Sequence, residues 1–149
     1  MRIAIGCDEA ATDLKNIIKK FVEEAGHNVT DYGTHEGQTV LYPDIAVTVA
    51  KAVKAGEHDR AVLLCGTGIG VAVSANKVPG IRAAQTHDTY SAERAMKSNN
   101  AQIITIGARV VGPELAKMIV QAYLSSDFSG GPSAEKVERI QYYEGLVSD

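Results

Sequence analysis

One segment combines a nucleophilic side chain with a glycine-rich turn: Cys65-Gly66-Thr67-Gly68-Ile69-Gly70. It follows an apolar run and leads into a helical pattern, so its backbone amides can face an anion at a helix N-terminus. The same field favours the thiolate of Cys65, which would make this side chain a base or a nucleophile. Val71 stands where the dinucleotide-binding pattern G-x-G-x-x-G requires its third glycine, so that function is excluded. From these residues alone, a buried structural cysteine is an equal alternative.

Three other polar residues also follow apolar runs. Asp8 comes after the first run, His87 after the fourth and Arg109 after the fifth. Arg109 can bind a phosphate through two parallel hydrogen bonds, and Asp8 is expected to share a crevice with Cys65. The alternatives are a helix-capping role for Asp8 and a surface ion pair for Arg109. No histidine pair, HExxH or CxxC motif indicates a metal site, so we expect no metal.

The apolar runs alternate with helical patterns along the whole chain. Strands are predicted at about residues 2–6, 28–32, 60–64, 80–85 and 101–106, and helices at about 12–25, 43–55, 69–77, 88–97, 113–123 and 133–147. Continuous apolar strands between helices favour a parallel sheet covered on both faces. Five units are too few for a closed barrel, so we expect an α/β fold: a Rossmann-like, open, doubly wound, five-stranded parallel sheet. Ligands of such sheets bind beyond the carboxyl ends of the strands, where the four polar residues lie.

Composition limits the class of protein. The chain has 149 residues, of which 45% are hydrophobic and 22% charged, so we expect one globular domain spanning residues 1–149. A net charge of −3 argues against nucleic acid as a partner. The longest uncharged stretch, residues 61–76, is shorter than the ~20 residues of a membrane span. Two cysteines form no disulfide framework, and no signal peptide fits between Arg2 and Asp8, so we expect a cytoplasmic protein without a membrane partner.

Several segments together resemble one enzyme family. The segment 65–70 and its continuation Ala75-Asn76-Lys77-Val78-Pro79-Gly80-Ile81-Arg82-Ala83-Ala84 resemble the ribose-5-phosphate isomerase B and galactose-6-phosphate isomerase family. Further matches are Gly6-Cys7-Asp8, Asp31-Tyr32-Gly33-Thr34, Tyr42-Pro43, Asn99-Asn100-Ala101, Gly107-Ala108-Arg109-Val110-Val111-Gly112 and Gly130-Gly131. The resemblance covers nearly the whole chain in order. It implies an aldose–ketose isomerase that acts on a sugar phosphate through a cis-enediolate, without metal or cofactor.

The resemblance also implies roles for individual residues. Cys65 would move the proton between C1 and C2, the loop from Thr67 to Gly70 would form the anion hole, and Asp8 and Asn99 would lie near the sugar hydroxyls. We therefore predict Cys65, Thr67 and Asp8 as catalytic residues, and Gly66, Gly68, Ile69, Gly70, Asn99, Arg109, Tyr42, Glu9, His87 and Lys136 as substrate-binding residues. The family implies a homodimer or tetramer with the site between subunits. The last helix, about residues 133–147, would then dock on a partner subunit.

The chain departs from the family pattern at positions that bear on the substrate. Glu9 replaces a histidine, Ser98 replaces the histidine that opens the furanose ring, and Pro132 and Lys136 replace phosphate-binding arginines. A tetrose 4-phosphate cannot close a furanose, because its terminal oxygen carries the phosphate, and it needs no ring-opening group. We therefore predict interconversion of erythrulose 4-phosphate and erythrose 4-phosphate, with Arg109 as the main phosphate ligand. Lys136 and His87 are candidate additional phosphate ligands.

Three alternatives remain open at this stage. The chain could isomerise ribose 5-phosphate, with ring opening by another group or without catalysis. It could be one subunit of a hetero-oligomeric galactose-6-phosphate isomerase, since Asp8-Glu9-Ala10 resembles the subunit of that pair that lacks the cysteine. It could also be a non-catalytic sugar-phosphate-binding module, although a binding protein has no use for a base at Cys65.

Overall fold

The structure is a computed structural model, which describes the backbone of residues 1–148 and the side chains of residues 1–145. The strands are β1 (Arg2–Cys7), β2 (Asn28–Asp31), β3 (Arg60–Cys65), β4 (Ala83–Gln85) and β5 (Ile103–Gly107). The helices are α1 (Thr12–Glu24), α2 (Tyr42–Lys54), α3 (Ile69–Ala75), α4 (Thr89–Lys97), α5 (Pro113–Leu124) and α6 (Pro132–Ser148), with a short 3₁₀ helix at Glu9–Ala11. No helix within these residues has the length and hydropathy needed to cross a bilayer.

All neighbouring strands of the sheet are parallel, in the order β2-β1-β3-β5-β4. Successive strand residues point to opposite faces, so each strand contributes to two apolar clusters. Val62 and Leu64 of β3 pack with α1, α4 and α5, whereas Leu63 and Cys65 pack with α2 and α3. The predicted α/β fold, with a five-stranded parallel sheet between two layers of helices, is therefore confirmed.

The strand order places the predicted site. The chain moves from β1 to β2 at one edge and then returns to place β3 on the other side of β1, which opens a crevice between the carboxyl ends of β1 and β3. Asp8 follows β1 and Cys65 ends β3, so both residues lie at this crevice. Because β5 lies between β3 and β4, Gly107 pairs with Cys65 and brings Arg109 to the same place.

Two elements differ from the sequence prediction. Strand β4 has only three residues, because residues 80–82 form a turn in which the Arg82 amide donates to Gln102 Oε1 at 2.8 Å. The short helix at Glu9–Ala11 was not predicted; Asp8 caps it by accepting a hydrogen bond from the Ala10 amide at 3.1 Å. Both differences involve side chains that bind backbone groups, which hydrophobic periodicity does not detect.

Candidate active site

A cleft of about 490 Å³ opens at the carboxyl ends of β1, β3 and β5. All three predicted catalytic residues lie on its wall. The lining consists of Asp8, Tyr42, Cys65, Gly66, Thr67, Ile69, Gly70, Val73, Ser74 and Arg109. Residues from four separate segments of the chain therefore meet at one surface, as the strand order requires.

Cys65 lies at the base of this cleft. The residue is 5% exposed, and its sulfur accepts a hydrogen bond from the Gly68 amide at 3.1 Å. Because Cys65 is the last residue of β3, the chain turns immediately after it and leaves the sulfur accessible from the cleft. The sulfur therefore has a main-chain hydrogen-bond donor in a nearly buried position.

The turn after Cys65 packs closely against the end of β5. Gly68 has φ +75° and precedes α3, and a Cβ atom at this position would lie 2.9 Å from the carbonyl carbon of Ile106. Glycine is therefore required both by the left-handed backbone and by the lack of space. The Ile69 amide donates to Thr67 Oγ1 at 3.2 Å, which holds the Thr67 hydroxyl beside the amides of the first helical turn.

Asp8 and Arg109 bring opposite charges to the cleft. Burial raises the pKa of Asp8, the neighbouring Glu9 raises it further, and the Arg109 cation and the hydrogen bond from the Ala10 amide act in the opposite direction. Arg109 lies against Gly66, since a Cβ atom there would be 3.2 Å from Arg109 Nη1. Asp8 thus serves as a helix cap and also lines the cleft, so the two alternatives for this residue do not exclude each other.

The opposite wall is formed by α2 and α3. Tyr42 is the first residue of α2, and its ring lies so close to Gly70 that a side chain at that position would collide with it. Tyr42 is 39% exposed and Ile69 is 54% exposed, so this wall presents apolar surface to the cleft. Val73 and Ser74 also line the cleft and were not predicted. Their spacing of four residues from Ile69 and Gly70 on α3 was the signal that could have found them.

Five predicted binding residues, Gly68 and four others, lie outside the cleft lining. The roles of all the predicted site residues stay predictions. Glu9 Oε2 accepts from the Val40 amide at 3.3 Å, and the Asn99 carbonyl accepts from Arg82 Nε at 3.0 Å. His87 Nε2 accepts from the Gly107 amide at 3.0 Å, which requires this ring nitrogen to be unprotonated. Lys136 is exposed on α6. Gly68, by contrast, contributes to the site through its amide.

The comparison with known proteins identifies the family. Residues 3–140 match the Ribose/Galactose Isomerase family. The chain belongs to this family. D-erythrulose-4-phosphate isomerase of Pectobacterium atrosepticum is 60% identical over 97% of this chain and 95% of its own length. Ribose-5-P isomerase B of Listeria innocua is 53% identical over 95% of each chain. The solved structure of Clostridium thermocellum ribose-5-phosphate isomerase B superposes with a TM-score of 0.96 at 44% identity, covering 99% of both chains.

Membership of the ribose/galactose isomerase family confirms the predicted family and the prediction of an aldose–ketose isomerase of sugar phosphates. In this isomerase, the side chain at the predicted ring-opening position is occupied elsewhere: Ser98 Oγ accepts a hydrogen bond from Arg94 Nε at 2.8 Å. Among the side chains of residues 1–145, no group of three His, Cys, Asp or Glu residues is arranged to hold a metal ion. Three side chains on the described cleft wall can take up or release a proton: the Cys65 thiol, the Asp8 carboxyl and the Tyr42 hydroxyl.

Proposed function

We propose that this isomerase interconverts erythrulose 4-phosphate and erythrose 4-phosphate through a cis-enediolate, with Cys65 as the base. The observation that carries the proposal is the position of the Cys65 sulfur, which lines the cleft and accepts from the Gly68 amide at 3.1 Å. Removal of a proton next to a carbonyl requires such a base beside hydrogen-bond donors. The name of the Pectobacterium atrosepticum relative, D-erythrulose-4-phosphate isomerase, supports the four-carbon substrate.

The chemistry follows from the groups on the cleft wall. Cys65 takes a proton from C1 of the ketose, the electrons of that C–H bond form the C1=C2 double bond, and the carbonyl electrons move onto O2. The amides of the loop and the Thr67 hydroxyl stabilise the resulting oxyanion. The thiol then returns its proton to C2, while the C1 hydroxyl gives up its proton and becomes the aldehyde oxygen. Asp8, whose pKa is raised by burial, exchanges the hydroxyl proton between the two oxygens.

On its described wall, the site lacks a ring-opening group, which longer sugar phosphates need. Aldopentose and aldohexose phosphates exist mostly as rings, and their isomerisation needs a group that opens the ring. No histidine belongs to the cleft wall as described for residues 1–145, and Ser98 is hydrogen-bonded to Arg94 on α4. A tetrose 4-phosphate presents its carbonyl without ring opening, so this site suits it best.

We further propose a homodimer in which a second copy completes the phosphate site. Arg109 is the one cation on the described cleft wall, and a phosphate dianion favours more than one. Helix α6 carries Lys136, and among its described side chains only Val137 is buried. Ile140, Tyr142 and Tyr143 on the same helix are 45–56% exposed. Docking of α6 on a partner would cover this apolar surface and bring Lys136 to the cleft of the partner. We propose that Asn99, which follows α4, reaches the partner's cleft in the same dimer.

The cellular setting is part of the same proposal. Cys7 and Cys65 are both free thiols in the structure, and a catalytic thiol needs a reducing compartment to stay reduced. We therefore place the enzyme in the cytoplasm. We also propose that residues 1–149 act as a single catalytic domain, since the two apolar clusters share one sheet.

The direct test is a comparison of kcat/KM for D-erythrose 4-phosphate and D-ribose 5-phosphate, in the aldose-to-ketose direction, with the purified chain alone. We expect a preference of at least about tenfold for the tetrose phosphate, because only the pentose phosphate is held in a furanose ring that must open before the proton transfer. Cys65→Ala is expected to lower kcat by at least about 10³-fold. Its midpoint of unfolding in denaturant should stay close to that of the wild type. Retained turnover in this variant would exclude Cys65 as the base.

The remaining outcomes identify the alternatives. A preference for ribose 5-phosphate would refute the ring argument and indicate a ribose-5-phosphate isomerase, the function named for the Listeria innocua relative. Activity that appears only after a second, different subunit is added would indicate a hetero-oligomeric hexose-phosphate isomerase. Binding of sugar phosphates without turnover of any of them would indicate a binding module and would contradict the proposal.

A further inference from the structure

Two side chains bind the glycine-rich loop from the side of the sheet. Gln85, the last residue of β4, donates from Nε2 to the Thr67 carbonyl at 2.8 Å. Thr105 of β5 donates from Oγ1 to the Gly68 carbonyl at 2.7 Å. Neither residue belongs to the cleft wall. The carbonyls of two successive peptide groups of the loop are therefore both held by side chains that do not face the substrate.

The amide ends of the same two peptide groups point toward the catalytic side chains. In a trans peptide the carbonyl and the N–H point in opposite directions. The peptide group between Thr67 and Gly68 accepts from Gln85 at one end and donates to the Cys65 sulfur at 3.1 Å at the other. The next peptide group accepts from Thr105 and donates from the Ile69 amide to Thr67 Oγ1 at 3.2 Å. A continuous chain of hydrogen bonds thus runs from Gln85 to Cys65.

We propose that Gln85 is a positioning residue for the base: it orients and polarises the Gly68 amide that binds the Cys65 sulfur. Hydrogen bonds in series strengthen one another, so donation to the Thr67 carbonyl makes the Gly68 N–H a better donor to a thiolate. The inference rests on the proposed role of Cys65 as the base. Gln85 acts only through the Thr67–Gly68 peptide group and does not touch the substrate.

The packing around this peptide group explains why one side chain can fix it. A Cβ atom at Gly107 would lie 2.7 Å from the Thr67 carbonyl oxygen, so that oxygen rests directly on the end of β5. The oxygen is held away from the cleft, and Gln85 supplies the donor that this position needs. Gln85 itself is exposed at the edge strand, so its substitution leaves the apolar clusters intact.

The variant Gln85→Met tests the proposal, because it keeps the length of the side chain and removes the donor. Gln102→Met is the matched control: Gln102 also donates to a main-chain carbonyl, that of Gly80 at 2.8 Å, but in a turn that does not bind the sulfur. The rate of Cys65 alkylation by iodoacetamide is measured across pH, with peptide mass spectrometry separating Cys65 from Cys7. The second readout is kcat and KM with D-erythrulose 4-phosphate.

For Gln85→Met we expect the alkylation profile of Cys65 to move upward by about 0.3–1 pH unit, which means alkylation about two- to tenfold slower near neutral pH. We expect kcat to fall by a similar factor with KM changed less than about twofold. Gln102→Met should give the wild-type profile. An unchanged profile in Gln85→Met, or an equal shift in both variants, would overturn the proposal.

The alkylation measurement needs no substrate, so it separates this inference from the proposed function. If Gln85→Met shifts the alkylation profile of Cys65 but the wild type turns over no sugar phosphate, the coupling between Gln85 and the sulfur is supported. The proposed isomerase function is then contradicted. Full turnover by Cys65→Ala would remove the base from the mechanism. In that case the alkylation profile alone decides the coupling, and an unchanged profile in Gln85→Met would overturn the positioning role as well.

Discussion

Replacing Lys15 by methionine is expected to destabilise the fold by about 3–5 kcal/mol, because it leaves a carboxylate without its partner in a nearly dry site. Lys15 is completely buried, and its Nζ donates to Asp31 Oδ2 at 2.7 Å, to Asp31 Oδ1 at 3.0 Å and to the Thr34 carbonyl at 2.8 Å. The Asp31 side chain is only 15% exposed. Methionine fills nearly the same space, so the loss measures the charge and the hydrogen bonds rather than a cavity.

The assay is urea unfolding, supported by thermal melts. At about 2–4 °C per kcal/mol for a chain of this size, the expected loss lowers Tm by roughly 6–20 °C. Lys20→Met is the control on the same helix: Lys20 is 78% exposed and lies 3.9 Å from Glu24, so the expected change is within about 0.5 kcal/mol. Both variants should unfold with the slope of the wild type.

A double variant identifies the cause of the loss. Asp31→Asn removes the charge but keeps an oxygen for the Gly33 amide, which donates to Asp31 Oδ1 at 2.9 Å. Added to Lys15→Met, this change should recover about 1–2 kcal/mol, because no lone charge then remains buried. A Lys15→Met protein that loses less than about 1 kcal/mol, or a double variant that is weaker still, would refute the reasoning.

Three further predictions concern Asp8, Arg109 and Ser98. Burial raises the pKa of Asp8, so the stability tied to its proton is present at low pH and is lost as pH rises through the folded pKa. Asp8→Asn, which keeps the helix cap, should be at least as stable as the wild type near pH 7 in urea unfolding. The difference in unfolding free energy between the two proteins should disappear below about pH 4. A more stable wild type at neutral pH would contradict this. Arg109→Met should raise KM by about 10–100-fold with less effect on kcat, as steady-state kinetics will show, and a loss confined to kcat would mean that Arg109 acts only in the transition state. Ser98→His should raise activity on the cyclic D-ribose 5-phosphate relative to D-erythrose 4-phosphate, and an unchanged ratio would count against the ring-opening argument.

Hydrophobic periodicity was enough to find the elements that position the site. Each of the five strands was predicted from an apolar run, and Cys65 and Asp8 could be placed at one edge of the sheet because parallel strands end together. The strand order could not be predicted in the same way. The polar residues of β2 and β4 fit the edge positions of these strands, whereas β3 and β5 are fully buried. The place of β5 between β3 and β4, however, depends on pairing between distant segments, which the composition of a strand does not indicate.

Side-chain contacts with the backbone were the other part that sequence analysis missed. On α1 the apolar Ile17 is 36% exposed, whereas the charged Lys15 is fully buried and forms an ion pair with Asp31. Hydrophobicity alone would indicate the opposite order of burial. The hydrogen bond from Gln85 to Thr67 joins residues 18 positions apart in sequence, and no local pattern indicates it. His87 stays a candidate phosphate ligand, and the hydrogen bond that its ring accepts from the Gly107 amide is a further contact that no local pattern indicates.

The unequal packing of the cleft wall determines where new specificities can be engineered. Added bulk at Gly68, Gly70 or Gly107 would meet main-chain atoms or the Tyr42 ring, so random libraries that include these codons would yield mostly misfolded clones. Ile69 and Val73 are each more than half exposed on the same wall, and their side chains can be exchanged without moving the backbone. Directed evolution toward longer or uncharged sugars should therefore begin at these two codons.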